Sequence, residues 1–414
     1  MNNIFIKTAM VGCLMFLAAC SDNYLDISNP NQVTASDFWK SEEDMESARR
    51  ACYGAMLQQG CYAQWYDLVF EMRADLCWNE SAWRDYANFS KFIYPSSNWE
   101  CIRSVWNDHY KGIAMFNKFL AHIDDPNIKF EDDDIRKQYK GEVCFLRALF
   151  YFNLYHLYGR MPLITEPTDE IIFPANSTAE QAWAQIESDL RVALEANLPE
   201  KRPDSELGLV TKGAVQALLG KAYMQQHKWQ AAADTFYEII RSGNYELVDN
   251  YGDNFDKDHE HNAESIFEVV FTMDTKGDWT TYGTVNSISG CETAKYFAPR
   301  DIGGHSDAQP NYFYLTSFTD KTKEGKEDPR KKSSIFYYPT QKLYGKTYLQ
   351  FSGASPVINV DRPAIWRIKY SNGTWRDYED AASPINLRII RYADVLLMYA
   401  EALNNLNRTP EAYD

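Results

Sequence analysis

Leu219-Gly220-Lys221-Ala222-Tyr223, followed by Ala232-Ala233-Asp234-Thr235-Phe236, is the stretch that decides the fold. Small residues recur here at positions where two helices would touch. Large rings recur where a neighbouring unit would leave a gap. Such a pattern predicts two antiparallel helices whose backbones approach closely at Gly220 and Ala232, with Tyr223 and Phe236 filling the space between successive pairs.

In residue type and spacing this is the tetratricopeptide pattern, in a degenerate form. Gln216 stands where Trp is usual, and Asn244 where Pro is usual. Helical periodicity extends in both directions. Ser41-Glu42-Glu43-Asp44 predicts an N-cap with its capping-box acid, followed by Met45, Ala48, Cys52 and Ala55 at helical spacing. Further helices are expected from Trp99 to Ile123 and from Ile135 to Tyr158. The second is apolar on nearly all sides, so it should be central, and Gly159 and Pro162 should stop it. Ser177 to Glu180 should open another, with Trp183, Ile186, Leu190 and Leu194 as its buried stripe. Asn386 to Leu406 reads as the first helix of one more hairpin. A repeat helix cannot bury its apolar face alone, so the natural chain is expected to continue beyond Asp414.

Periodicity is lost between Asp274 and Pro384. That segment holds 9 of the 20 Gly, 7 of the 16 Pro and 18 aromatic residues. Ser265 to Phe271, just before it, reads as a strand. A smaller irregular region runs from Gly60 to Asn98. The fold class is therefore mostly α: a degenerate tetratricopeptide-like scaffold of helical hairpins (about 36–273 and 385–414) with a large loop-rich insert (about 274–384) containing minor β. The two parts form a single domain over 20–414.

Composition narrows the function classes. The 414 residues carry 42 Lys+Arg against 58 Asp+Glu, a formal net charge of −16. Duplex binding draws its affinity from cations on phosphates, so this balance argues against a nucleic-acid partner. With 45% hydrophobic residues the chain has ample material for a core. Mean hydropathy is −0.49, and only the first twenty residues hold a sustained apolar run. There, Lys7 and the stretch 8–19 have the charge and length of a signal peptide (1–19). The run ends in Leu17-Ala18-Ala19-Cys20, which resembles the bacterial lipoprotein box, with Cys20 as the acylated residue. Acidic residues directly after it, Asp22 and Asp26, resemble the surface-export signal of Bacteroidetes lipoproteins. The six remaining cysteines contain no C-x-x-C pair. Cys52 and Cys144 fall within apolar helical patterns, where buried thiols are expected.

These blocks occur in a characteristic order: the lipobox; Asp37-Phe38-Trp39; Leu146-Arg147-Ala148 through Tyr158-Gly159 to Pro162; the repeat ending in Gly243 and Tyr245; Glu264-Ser265-Ile266-Phe267-Glu268-Val269; and Arg391 through Ala400-Glu401-Ala402. Together they resemble the SusD/RagB family of nutrient-uptake outer-membrane lipoproteins of Bacteroidetes. The resemblance implies a binding protein rather than an enzyme. It would take oligosaccharides, sometimes peptides, and act as the lid of a SusC-like TonB-dependent transporter. It would be lipid-anchored in the outer membrane and face the cell exterior.

A non-catalytic sugar site needs flat aromatic faces for the C–H faces of pyranose rings and a few polar groups for their hydroxyls. The segment 75–86 supplies both, with Asp75, Trp78, Asn79, Trp83 and Arg84, and the insert supplies Trp279, Tyr282 and Tyr296. These are the expected ligand residues, since the resemblance places ligands on loops from these two parts of the chain. Trp39, Trp106, Trp183 and Trp229 lie in helical patterns and are expected in the core. The acidic run 249–264 lacks the alternation of a calcium loop and reads as a solvated turn. His259-Glu260-His261 does not put two histidines on one helix face. No nucleophile elbow, phosphate loop or dinucleotide fingerprint occurs, so no catalytic residue, metal ligand or cofactor is expected. The competing readings are a repeat-type protein adaptor, a peptide-binding uptake lipoprotein and a lipid-anchored glycosidase.

Overall fold

A computed structural model describes residues 38–79, 81–93, 99–168, 170–273, 290–352, 364–379 and 382–413. The signal peptide and Cys20 lie outside the described residues, as do Trp279 and Tyr282. No described helix is long and apolar enough to cross a membrane.

The long helices are α1 (Glu42–Gly54), α2 (Trp65–Arg73), α3 (Arg84–Ser90), α4 (Glu100–His122), α5 (Asp133–Tyr158), α6 (Ala179–Glu195), α7 (Lys212–Gln225), α8 (Trp229–Ser242) and α9 (Tyr392–Asn405). The short strands are β1 (Cys77–Trp78), β2 (Ser265–Val269), β3 (Gln309–Pro310), β4 (Ile335–Phe336), β5 (Lys342–Leu343), β6 (Lys346–Thr347), β7 (Trp366–Arg367) and β8 (Leu387–Arg391). Neighbours in the series α4 to α9 pack on one another, and α1 closes the row against α4 and α5. The chain is thus mostly α, as the repeat pattern implied.

Local sequence explains the helix ends. Asp44 N donates to Ser41 Oγ (3.2 Å) and Ser41 N donates to Asp44 Oδ2 (3.0 Å), completing the expected capping box. The second box is displaced by one residue. Thr178, not Ser177, caps α6, with the Gln181 amide returning the bond, because Ser177 N is already committed to Met161 O (2.9 Å). Helix α5 stops at Gly159, whose φ of +69° is costly for any residue with a Cβ. From Gly141 to Tyr151 every side chain of α5 is buried, which makes it the central helix. In the diagnostic hairpin, a Cβ at Gly220 would lie 2.3 Å from Phe236 Cε1. The glycine is therefore what lets α7 and α8 close. Trp183 is buried, and Trp39, Trp106 and Trp229 pack at the edge of the same core.

Two expectations are corrected. The segment 386–391 is not the start of a helix. Leu387 to Arg391 form β8, paired antiparallel with β2, and the helix begins only at Tyr392. The region 60–98 is not wholly irregular either. Trp65, Leu68, Val69 and Met72 form the buried stripe of α2, and α3 follows. The six cysteines described, Cys52, Cys61, Cys77, Cys101, Cys144 and Cys291, form no disulfide with one another. Burial pushes the Cys52 thiol up to about 12 and Cys291 to about 11.

The β2–β8 ladder brackets the insert, whose described parts carry β3 to β7. At its centre Glu268 and Arg388, both without solvent exposure, form an ion pair at 3.2 Å. Asn386 Nδ2 and His261 N also donate to Glu268 (2.9 and 3.1 Å). Arg388 Nη1 and Nη2 donate to the carbonyls of Asn386 and His259 (3.0 and 3.1 Å). At the scaffold end Glu264 pairs with Arg391, and Tyr392 N donates to Glu264 O (2.8 Å), which sets the start of α9. Removing one partner of a buried pair leaves an uncompensated charge. Arg388→Met should therefore destabilise the protein by roughly 3–5 kcal/mol in denaturant unfolding, and adding Glu268→Leu should recover much of that loss.

Candidate functional site: an aromatic cluster beneath Trp83

Helix α2 and the insert meet around a group of rings. Trp65 lies 6.1 Å from Tyr86, 6.0 Å from Tyr296 and 6.2 Å from Trp83, centroid to centroid. Trp83 and Tyr296 are 6.2 Å apart at an interplanar angle of 64°, an edge-to-face arrangement. His305 lies 5.1 Å from Tyr296. Trp65, Tyr86 and Tyr296 are buried, whereas Trp83 is 52% exposed. The cluster therefore forms a floor that holds one indole at the surface.

A succession of side-chain turns presents that indole. Asn79 Oδ1 accepts from Ser81 N (2.6 Å), and Ser81 Oγ accepts from Trp83 N (3.2 Å). Trp83 then caps α3, with its carbonyl accepting from Ala87 N (3.0 Å). Asn79 itself is buried, and its amide lies 2.9 Å from Met72 Sδ. Its polar groups thus shape the loop from inside. Trp78 is half-buried in β1, opposite Gln309 of β3. Asp75 is exposed, and its carbonyl accepts from Asn311 Nδ2 (2.5 Å). Arg84 opens α3, but its side chain lies outside the described residues. Tyr296 is buried, and its hydroxyl accepts from Gln64 Nε2. The structure thus brings Trp83 and Tyr296 together and sets Asn79 in the turn that presents Trp83, while Trp78 of β1 pairs with Gln309 and Asp75 is fixed through its backbone carbonyl.

Sequence reading missed Asp307. Its backbone N–H donates to Tyr296 O (2.7 Å), which sets the carboxylate into the same buried layer. Burial raises its pKa to about 6, against the opposing pull of the Ser81 hydroxyl and Arg300. Tyr86 is held well above its ordinary value by burial, and then by the charge of Asp307. Among the described residues, Asp307 Oδ1, the Tyr86 hydroxyl and Trp78 Nε1 are buried without a hydrogen-bond partner. Such atoms hold unused bonding capacity next to the ring floor.

Other contacts lock the two loop regions together. Arg367 of β7 reaches Glu71 and Asp67 of α2 (3.0 and 3.8 Å), so these two carboxylates share one guanidinium. Glu292 N donates to Ala63 O (2.8 Å). Away from the cluster, a cavity of about 380 Å³ lies between α2, α5, α7 and β8, lined by Tyr66, Phe70, Phe152 and His156 among others. Asp253, Asp256 and His259 of the acidic turn bring one ligand atom each within 4.8 Å of one another. Asp256 already accepts from the backbone of Asp258 and His259 and contacts the His259 ring.

Residues 23–224 match a family described as starch-binding and associating with the outer membrane, and residues 263–414 match the SusD family. The chain belongs to the SusD/RagB family. A SusD-like protein of Formosa agariphila, P25, is 24% identical over 97% of this chain and 78% of its own length. Among solved structures, a SusD superfamily protein from Bacteroides vulgatus superposes with a TM-score of 0.78 at 27% identity, covering 91% of this chain and 78% of the other. A laminarin-binding SusD-like protein gives 0.74 at 27%, covering 90% and 84%.

Asp307 offers a test of how the layer is built. Its folded-state pKa lies above the ordinary carboxylate value of 3.8, so its contribution is complete below that value and is lost as pH rises through about 6. Asp307→Asn removes this loss. The stability difference, variant minus wild type, should grow by about 2 kcal/mol between pH 4 and pH 7.5, measured by paired denaturant titrations.

Proposed function

We propose that this SusD/RagB protein is a cell-surface lipoprotein that binds oligosaccharides at Trp83 and delivers them to a SusC-like TonB-dependent transporter, acting as its lid. The observation that carries the binding half is the half-exposed Trp83 indole on a buried ring floor. A rigid, preorganised aromatic face suits the apolar face of a pyranose and loses little entropy on binding. The exposed Asp75 carboxylate is proposed, on sequence grounds, as an acceptor for sugar hydroxyls. Asn79 and Tyr296 support the platform, and Trp78 joins the proposed set from β1 on sequence grounds. Arg84, Trp279 and Tyr282 complete the proposed set on sequence grounds, and Cys20 carries the anchor.

Kinship with a laminarin-binding protein supports a glycan ligand over a peptide. Binding without turnover is favoured by the Asp67–Glu71 pair. These carboxylates sit one helical turn apart and face the same Arg367 guanidinium, Glu71 within hydrogen-bond distance and Asp67 at 3.8 Å, which suits a structural clamp better than an acid and base flanking a scissile bond. Family membership supports the transport half of the reading.

The deciding experiment is calorimetry or affinity electrophoresis of the purified protein against a panel of oligosaccharides. Trp83→Ala should weaken binding of the best glycan by ~1 kcal/mol or more, about fivefold or greater, with an unchanged melting temperature. Wild-type affinity in this variant would move the site elsewhere, with Phe70→Ala in the 380 Å³ cavity as the next substitution. Hydrolysis of a bound glycan would instead establish a glycosidase.

A further inference from the structure

The connection between α5 and α6 ends in an apolar tip. Ile171, Ile172 and Phe173 are 87%, 41% and 92% exposed. Three consecutive large apolar residues rarely stand in water on a loop that folds for its own sake. The base of the loop is held firmly. Tyr151 OH and Asn117 Nδ2 both donate to Ile164 O (2.7 Å each). Arg147, paired to Asp189 on α6, also donates to Thr165 O (3.2 Å). Ser177 N donates to Met161 O (2.9 Å) and closes the neck. Pro167 and Pro174 bracket the projecting segment and stiffen it. A firm neck with an apolar tip is preorganised for insertion into something.

The charges around the tip indicate what that is. From Met161 to Thr178 the sequence carries Glu166, Asp169 and Glu170 and no Lys or Arg. Segments that enter the interface of an anionic bilayer pair their apolar residues with cations, and here the flanks have the opposite sign. An apolar protein pocket with a basic rim is complementary in both respects.

We infer that Ile171-Ile172-Phe173 is a docking plug that seats in an apolar, basic-rimmed pocket on the partner transporter. This rests on the transporter reading above. Because the plug lies on the α5–α6 connection and not on the ring floor beneath Trp83, docking and glycan capture are separable by mutation.

The test co-expresses the full-length lipoprotein with its cognate TonB-dependent transporter and measures co-purification after detergent extraction. Ile171→Ser/Phe173→Ser should reduce the recovered complex at least tenfold, and Glu170→Lys should also reduce it. Melting temperature and affinity for the glycan panel should match wild type in both. Equal recovery of wild type and the double variant would overturn the plug while leaving the transporter reading intact. No complex with wild type would overturn that reading, and the plug with it. A second arm floats the Cys20→Ala chain, which lacks the acylation site, with phosphatidylethanolamine/phosphatidylglycerol vesicles. Flotation that depends on Phe173 would assign the tip to lipid and overturn the proposal.

Discussion

The Glu268–Arg388 pair is the constraint on which the rest of the structure depends. Two charges without solvent exposure are stable only when each meets the other and the remaining polar valences are filled. Asn386, His261 and the carbonyl of His259 fill most of them here, while Arg388 Nε meets Glu268 through charge rather than a hydrogen bond. An apolar pair would hold β2 and β8 together at least as strongly, but would tolerate more than one register. With the ion pair, a slip of one residue strands both charges. Register matters because β2 and β8 are the exit from and the return to the helical row. Tyr392 N on Glu264 O then places α9 against α8 as though the intervening residues were a tight turn.

The ring cluster inherits that precision. Its members come from α2, from the loop leading into α3, and from the insert at Tyr296, His305 and Asp307. These segments meet through β1–β3 pairing, through Arg367 on Asp67 and Glu71, and through Glu292 on Ala63. The insert enters and leaves the scaffold at a fixed point, so these contacts can form together. The buried carboxylate of Asp307 is the cost of that closeness, visible in its raised pKa.

Sequence reasoning found what is local and periodic. The α7–α8 hairpin was legible because Gly220 and Phe236 belong to neighbouring helices and recur at a fixed spacing. Helix α5 was legible because its run is apolar on every side. Leu387 to Arg391 was misassigned because a short apolar run joined to a helix has no period of its own, and the strand that pairs with it lies at the other end of the insert. Helix α2 was legible in principle. Trp65, Leu68, Val69 and Met72 fall at i, i+3, i+4 and i+7, but the Trp content of the region drew attention to binding instead. Asp307 left no signal, because its environment is assembled from residues distant in the chain. Asn79 shows the converse: a residue type suited to a sugar hydroxyl is spent on the turn that lifts Trp83.

The antiparallel clasp has a further consequence for how such a protein can diversify. Both ends of the insert are fastened at one socket, so its length is nearly free. The entropy of closing a flexible loop rises only logarithmically, by about 0.6 kcal/mol for each doubling of length. The part of the insert that makes no contact with α2 or β1 could therefore change in length between β2 and β8 while the helical row stays as it is. Such changes in length should be tolerated where the Glu268–Arg388 register is preserved and not where it is lost.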